Sequence, residues 1–221
     1  MNTTQPNTDD PLRALLHRSD ELQEAVRSHI EGCEFDASPR GQACWGMCSV
    51  AMERWAGLRV LMATALPTSA TALMRPQFEA LTRASWLLYA ASEDEIAKLK
   101  TPLSLESEQA AKNLPSVRDM IEQIERQVGT RAPAAAHQML LHFKEVSWKA
   151  MNSFVHAGIH PLQRHASGFP VSLALQVLRN SNGLPTMTAM TMAVLTGDES
   201  VTPPIRQLQL TFADGLPDLL K

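Results

Sequence analysis

Apolar residues recur every three or four positions along most of the chain, and no stretch sustains the alternation of a half-buried strand. Pro11 opens a helix to about Glu31, with Leu12, Leu15, Leu16, Leu22 and Val26 as its apolar face. Gly32 to Arg40 is read as a loop. A longer helix from about Gln42 to Leu66 carries Trp45, Cys48, Met52 and Trp55, and Pro67, Thr68 and Ser69 stop it and cap the next. The first two helices and the segment from Ser69 to Ala91 are expected to pack as antiparallel hairpins. Pro76 lies inside that segment and predicts a kink or a new first turn, because proline offers no backbone donor.

Ser92, Glu93, Asp94 and Glu95 supply an N-cap and favourable charge for a short helix to about Lys100. The polar stretch to Asn113 is a loop or a marginal helix. Pro115 precedes an amphipathic helix whose Val117, Ile121, Ile124 and Val128 point one way, and Gly129 ends it. Pro133 opens a long helix to His156 or Ala157, and Gly158 with Pro161 interrupts the next segment. Val171 to Arg179 and Thr186 to Leu195 read as two helices separated by a turn at Asn180, Ser181, Asn182 and Gly183. A last short helix starts near Ile205.

The pattern predicts an all-α protein: a single-domain bundle of about six to nine helices over residues 11–221, behind a disordered tail at residues 1–10. With 221 residues, 44% of them hydrophobic, the chain is long enough to bury a substantial core. Its 20 basic and 23 acidic residues argue against a nonspecific coat for nucleic acid or anionic membrane. Three cysteines make no disulfide framework, and Cys44 and Cys48, one helical turn apart, read as small core residues in a reducing cytoplasm. The polar start carries no secretory signal pattern, and the most apolar runs are too short to span a bilayer, so no membrane role is expected.

Two polar ladders stand out in these apolar helices. Arg75, Glu79, Arg83 and Trp86 fall within one quadrant of a helical wheel, opposite Leu73, Met74, Phe78, Leu81, Ala84 and Leu88. His142, Glu145, Lys149, Asn152, Ser153 and His156 share one side of a later helix, opposite Phe143, Met151 and Phe154. The plain reading is a pair of water-facing stripes whose ion pairs contribute about 0.3 to 0.5 kcal/mol each. Trp86 speaks against it for the first ladder, since a large apolar ring inside a charged arc predicts that another element covers that face. In the functional reading Glu79 holds the guanidinium forks of Arg75 and Arg83, leaving one free for an anion. His156 moves a proton, Lys149 attracts phosphate, and Asn152 or Ser153 orients them.

The runs Ala72 to Ile96 and Trp148 to His165 resemble a bacterial family of helical proteins of unknown function. Its pattern pairs Arg-Pro-x-x-Glu-x-x-x-Arg-x-x-Trp with a later Asn-x-x-x-His-x-Gly; here these are Arg75, Pro76, Glu79, Arg83 and Trp86, then Asn152, His156 and Gly158. That resemblance brings no activity with it. The chain is also similar, more weakly, to the HEPN superfamily of helical domains, many of them metal-independent ribonucleases with an Arg four to six residues before a His. Lys149 stands where that Arg would be, and it lacks the bidentate fork. Arg75 or Arg83 would have to supply the fork from another helix.

His156 and His160 have metal-ligand spacing, but Gly158 breaks the helix between them and no Glu follows His156, so neither metal nor cofactor is expected. No glycine-rich phosphate loop, nucleophile elbow or kinase signature occurs. Two expectations remain. One is an RNA- or phosphate-ligand-binding protein, a HEPN-like ribonuclease with His156, Lys149 and Arg83 in catalysis and Arg75, Glu79, Trp86, Asn152 and Ser153 around the ligand. The other is a noncatalytic assembly protein, a homodimer or one that binds a partner protein, whose polar ladders fix helix register and whose apolar C-terminal helices form the contact.

Overall fold

Proline and serine set most of the helix starts. The computed structural model describes residues 10–218, so residues 1–9, nearly all of the expected N-terminal tail, lie outside the described residues. Asp10 accepts from the backbone N–H of Leu12 and caps α1 (Pro11–Ile30), and Ser38 accepts from Gly41 and caps α2 (Pro39–Ala63). Pro67 is the first residue of α3 (Pro67–Tyr89). Reciprocal capping boxes start the next three helices: Ser92 with Glu95 on α4 (Glu93–Lys100), Ser104 with Ser107 on α5 (Leu105–Ala111), and Ser116 with Asp119 on α6 (Val117–Glu125). Each such cap contributes about 1 kcal/mol by satisfying an otherwise orphaned donor. The chain continues through α7 (Ala134–Val155), α8 (Ile159–Ser167), α9 (Val171–Leu195) and α10 (Thr202–Thr211), then a 3₁₀ turn at Ala213–Gly215. Among the described residues there are ten α-helices and no strand, a single all-α domain; α5 occupies the stretch read as a loop or marginal helix.

The bundle is built around α3, which packs most extensively on α2 and also on α6, α7 and α9. Phe78, Leu81, Ala84, Trp86 and Leu87 of α3 are wholly buried against Trp55 and Leu58 of α2, Ile124 of α6 and Leu140 of α7, among other core residues. Cys44 and Cys48 are buried in the same core as free thiols, and the Cys44 thiol donates to the carbonyl of Ala84 at 3.2 Å. Hydrogen bonding with Cys44 and burial push the Cys48 thiol up. Pro76 lies within α3, which runs on through it as one helix.

The expected turn at Asn180–Gly183 does not exist: α9 runs through it as one helix of 25 residues. The reason is tertiary. Pro185 cannot donate to the carbonyl of Ser181 four residues earlier, and Gln77 of α3 fills that place. Its Nε2 donates to the Ser181 carbonyl at 2.9 Å, while the Ser181 hydroxyl returns a bond to Gln77 Oε1 at 2.6 Å. Asn182 accepts from Trp55 Nε1 at 2.9 Å and donates to Ser19 Oγ at 2.8 Å and to the Gly215 carbonyl at 2.9 Å. Residues that in isolation favour a turn are thus held helical by partners on α1, α2, α3 and the C-terminal turn.

Among the described residues no helix is long and apolar enough to cross a membrane.

Candidate functional site

Residues four apart on α3 place Arg75 above Glu79, and the Arg75 Nε donates to Glu79 Oε1 at 2.8 Å. The same guanidinium reaches α7. Its Nη1 lies 2.8 Å from His156 Nε2, and its Cζ stands 4.9 Å from the centre of the Trp148 ring. A guanidinium has only donors, so the His156 Nε2 accepts and the ring proton is assigned to Nδ1. Trp148 is positioned in turn by an edge-on contact with Phe78, centroids 6.5 Å apart, and Phe78 stacks on Phe143 at 4.8 Å. A carboxylate, an aromatic face and an imidazole therefore hold the Arg75 fork in one orientation.

A tight chain reversal presents His156 to solvent. It follows the last residue of α7, with its N–H bonded to the Asn152 carbonyl at 3.0 Å. Ala157 then adopts a left-handed φ of 51°, and the Gly158 N–H donates to the Ser153 carbonyl at 2.7 Å. The Ser153 hydroxyl accepts from the His160 N–H at 3.1 Å, so it caps α8 across the reversal. A Cβ at Gly158 would stand 2.6 Å from that hydroxyl, which is the physical reason for glycine two residues after His156.

The expected site residues divide accordingly. Arg75, Glu79 and His156 meet. Trp86 is wholly buried under α6 and donates from Nε1 to Gln123 Oε1 at 2.7 Å. Arg83 forms no ion pair with Glu79; its Nε is buried without a partner, as is the Asn152 Oδ1. Lys149 and Glu145 are exposed and, although four apart, form no ion pair. The first ladder is thus largely covered, while the second is a solvent-facing stripe that joins the first at His156. His160 turns away toward Phe154, with ring centroids 5.9 Å apart. Among the described residues no three His, Cys, Asp or Glu side chains gather as metal ligands would.

Trp148 and Gln123 were not among the expected residues. Trp148 falls at the border of the polar and apolar arcs of α7, a position visible on the wheel; Gln123 had no local signal. One further pattern was legible: from Val146 to Gly197 the chain carries no Asp or Glu, while Lys149, Arg164 and Arg179 and three histidines, His156, His160 and His165, lie within it. His156, His160 and His165 are exposed, and Lys149 and Arg164 are the formal charges that this stretch brings to the corner between α7 and α8 in a chain of net charge −3.

A family of unknown function (DUF6988) matches the chain over residues 48–218, a span that holds both ladders. No curated protein and no solved structure matches it.

Proposed function

The chain belongs to the family of unknown function DUF6988, and from that premise we propose that it binds RNA at the corner where α3 meets the end of α7 and cleaves it with Arg75 and His156. The observation that carries this reading is the 2.8 Å contact between the Arg75 Nη1 and the His156 Nε2, with the guanidinium already oriented by Glu79 and Trp148. It favours Arg75 over Arg83 as the phosphate-binding fork, and it puts that fork beside the imidazole although the residue ahead of His156 on its own helix is Lys149.

In this reading a ribose 2′-hydroxyl replaces Arg75 as the donor to His156 Nε2. The 2′-oxygen attacks phosphorus as its proton passes to Nε2, the phosphorus to 5′-oxygen bond breaks, and the leaving oxygen takes a proton from water. Arg75, released from the imidazole, turns its N–H groups to the nonbridging oxygens, and Lys149 adds a second positive charge. The products are a 2′,3′-cyclic phosphate and a 5′-hydroxyl end. Arg164 on α8, a helix whose sequence has no Asp or Glu, adds attraction for the flanking backbone, with His160 and His165 as hydrogen-bonding groups beside it.

The test is cleavage and binding of total and structured RNA with chelator present. His156→Ala is expected to abolish cleavage with the helical circular dichroism intact. Arg75→Lys keeps the charge but not the fork, so binding survives and cleavage falls by about 100-fold. Unchanged cleavage by the His156 variant removes that residue from the reaction.

A second reading, a noncatalytic assembly protein, draws support from the Gln77, Ser181 and Asn182 network, in which buried polar groups bond to one another across helices, as groups that fix helix register would. Neither binding nor cleavage of RNA by the wild-type protein would select it.

A further inference from the structure

A concavity lies along the N-terminal part of α7, away from the end of that helix where Arg75 meets His156. It is a half-open cleft of about 390 Å³ between α7, α9 and the segment after the 3₁₀ turn, and none of the residues of the RNA reading lines it. Met139, Phe143 and Val146 of α7 face Leu184 and Met187 of α9 across it, and Pro217 closes one end. Pro217 approaches closely only because position 183 is glycine: a Cβ there would stand 3.0 Å from the proline Cγ.

Two polar features distinguish this cleft from an ordinary packing gap. Ser147 lines it and is only 6% exposed, yet among the described residues its hydroxyl makes no hydrogen bond. The oxygen itself is not sealed from solvent, so the hydroxyl stands free at the cleft wall, whereas a serine in a helix usually bonds back to the preceding turn. The second feature is charge. Among the described residues no Lys or Arg lines the cleft, and the titratable groups that do are His142 on α7 and Asp218 beyond Pro217, both exposed. Among the described residues a phosphate, sulfonate or carboxylate would find no Lys or Arg there and one carboxylate against it.

We infer that this cleft is a ligand site for a small, uncharged, mostly apolar molecule bearing one hydrogen-bonding group, such as an aromatic amine, amide or alcohol. The apolar body lies between Phe143, Val146, Leu184 and Met187, and the polar group meets the Ser147 hydroxyl, with the side chain of Asn180 as a second partner at the rim. Volume and lining match the small-molecule class: a mostly apolar concavity of a few hundred Å³ with few, convergent polar groups. The site stands apart from RNA cleavage and holds whether or not that reading does.

The experiment uses the full chain and N-phenyl-1-naphthylamine, an uncharged aromatic amine whose fluorescence rises in apolar surroundings. Saturable binding of one probe per chain is expected. Val146→Trp, a change at an exposed position that fills the cleft, should reduce affinity by at least about tenfold. Ser147→Ala should weaken the amine by about fivefold, the loss of one hydrogen bond, and leave competition by the hydrocarbon 1-phenylnaphthalene unchanged. The sulfonated analogue 8-anilinonaphthalene-1-sulfonate should bind more weakly than the parent amine. Binding that Val146→Trp does not reduce, a sulfonate that binds as tightly as the amine, equal loss of both competitors in Ser147→Ala, or no saturable binding overturns the assignment. Binding only after removal of Leu219, Leu220 and Lys221 would make the chain's own end the occupant and would overturn it as well.

Discussion

Two polar clusters lie along the same helix and differ in how completely their hydrogen bonds are used. At Gln77 the α3 side chain and Ser181 exchange two bonds, and one residue further along α9 Asn182 bonds to three elements at once; Gln77, Ser181, Asn182, Ser19 and Trp55 are all at most 1% exposed. Two residues before Gln77, Arg75 turns to the rim, where its partner His156 is exposed, and the buried Asn152 Oδ1 and Arg83 Nε on the two contributing helices are unpaired. A network with no free valence specifies helix register and can accept nothing more. A cluster with an oriented fork and an accessible imidazole can exchange a protein partner for a ligand. The difference separates structure from chemistry better than residue type does, since both clusters are made of ordinary polar side chains.

The largest effect expected is at Asn182. Its replacement by Ala leaves the Trp55 N–H and the Gly215 carbonyl without their partner and the Ser19 hydroxyl with only its bond to the Leu15 carbonyl, and should cost about 3 to 5 kcal/mol in urea unfolding. A loss below about 1 kcal/mol would mean that water replaces the amide there and that the network is not closed.

Gln77→Ala should cost about 2 to 3 kcal/mol, because the carbonyl freed by Pro185 is then buried without a donor. Pro185→Ala restores a helical N–H for that carbonyl, so the double variant should recover part of the loss. Additive costs would show that Gln77 and Pro185 are not coupled.

At the reversal after α7, Gly158→Ala drives a Cβ into the Ser153 hydroxyl and should cost about 1 to 2 kcal/mol, with partial relief on adding Ser153→Ala. The absence of any relief would place the clash elsewhere.

The open cluster should show the opposite of the Asn182 result: His156→Ala should change stability by no more than about 0.5 kcal/mol while removing RNA cleavage. A large stability loss there would make the two clusters alike and favour the structural reading.

The smallest effect concerns pH. Hydrogen bonds from Ser116 hold the Asp119 carboxyl below its ordinary value. A depressed folded value means that its contribution is present above the unfolded pKa and fades as pH falls through the folded one. The stability difference between wild type and Asp119→Asn should therefore shrink on acidification; a difference that grows would reverse the assignment of acceptor.

Helix starts were legible where a serine or proline at the right offset acts within the same turn, as at Pro11 and Ser92, whereas Ser38 and Pro39, read as part of a loop, start α2 three residues before the expected Gln42. The all-α class came from the apolar period, and Trp86 announced its own cover by standing in a charged arc. The grouping of Arg75 with Glu79 was equally local, four residues apart on one helix. Three things were decided only in the tertiary structure. The Asn180 to Gly183 segment became helix because Gln77, Trp55 and Ser19, all distant in sequence, satisfy what a turn would otherwise have satisfied. The guanidinium that reaches His156 is the one that helix packing brings there, 81 residues earlier in the chain. The cleft beside Ser147 arises from the meeting of α7, α9 and Pro217, a volume that belongs to no single helix. Spacing along one helix fixes which side chains share a face, whereas the partner opposite that face depends on how helices pack, and a wheel carries no information about that.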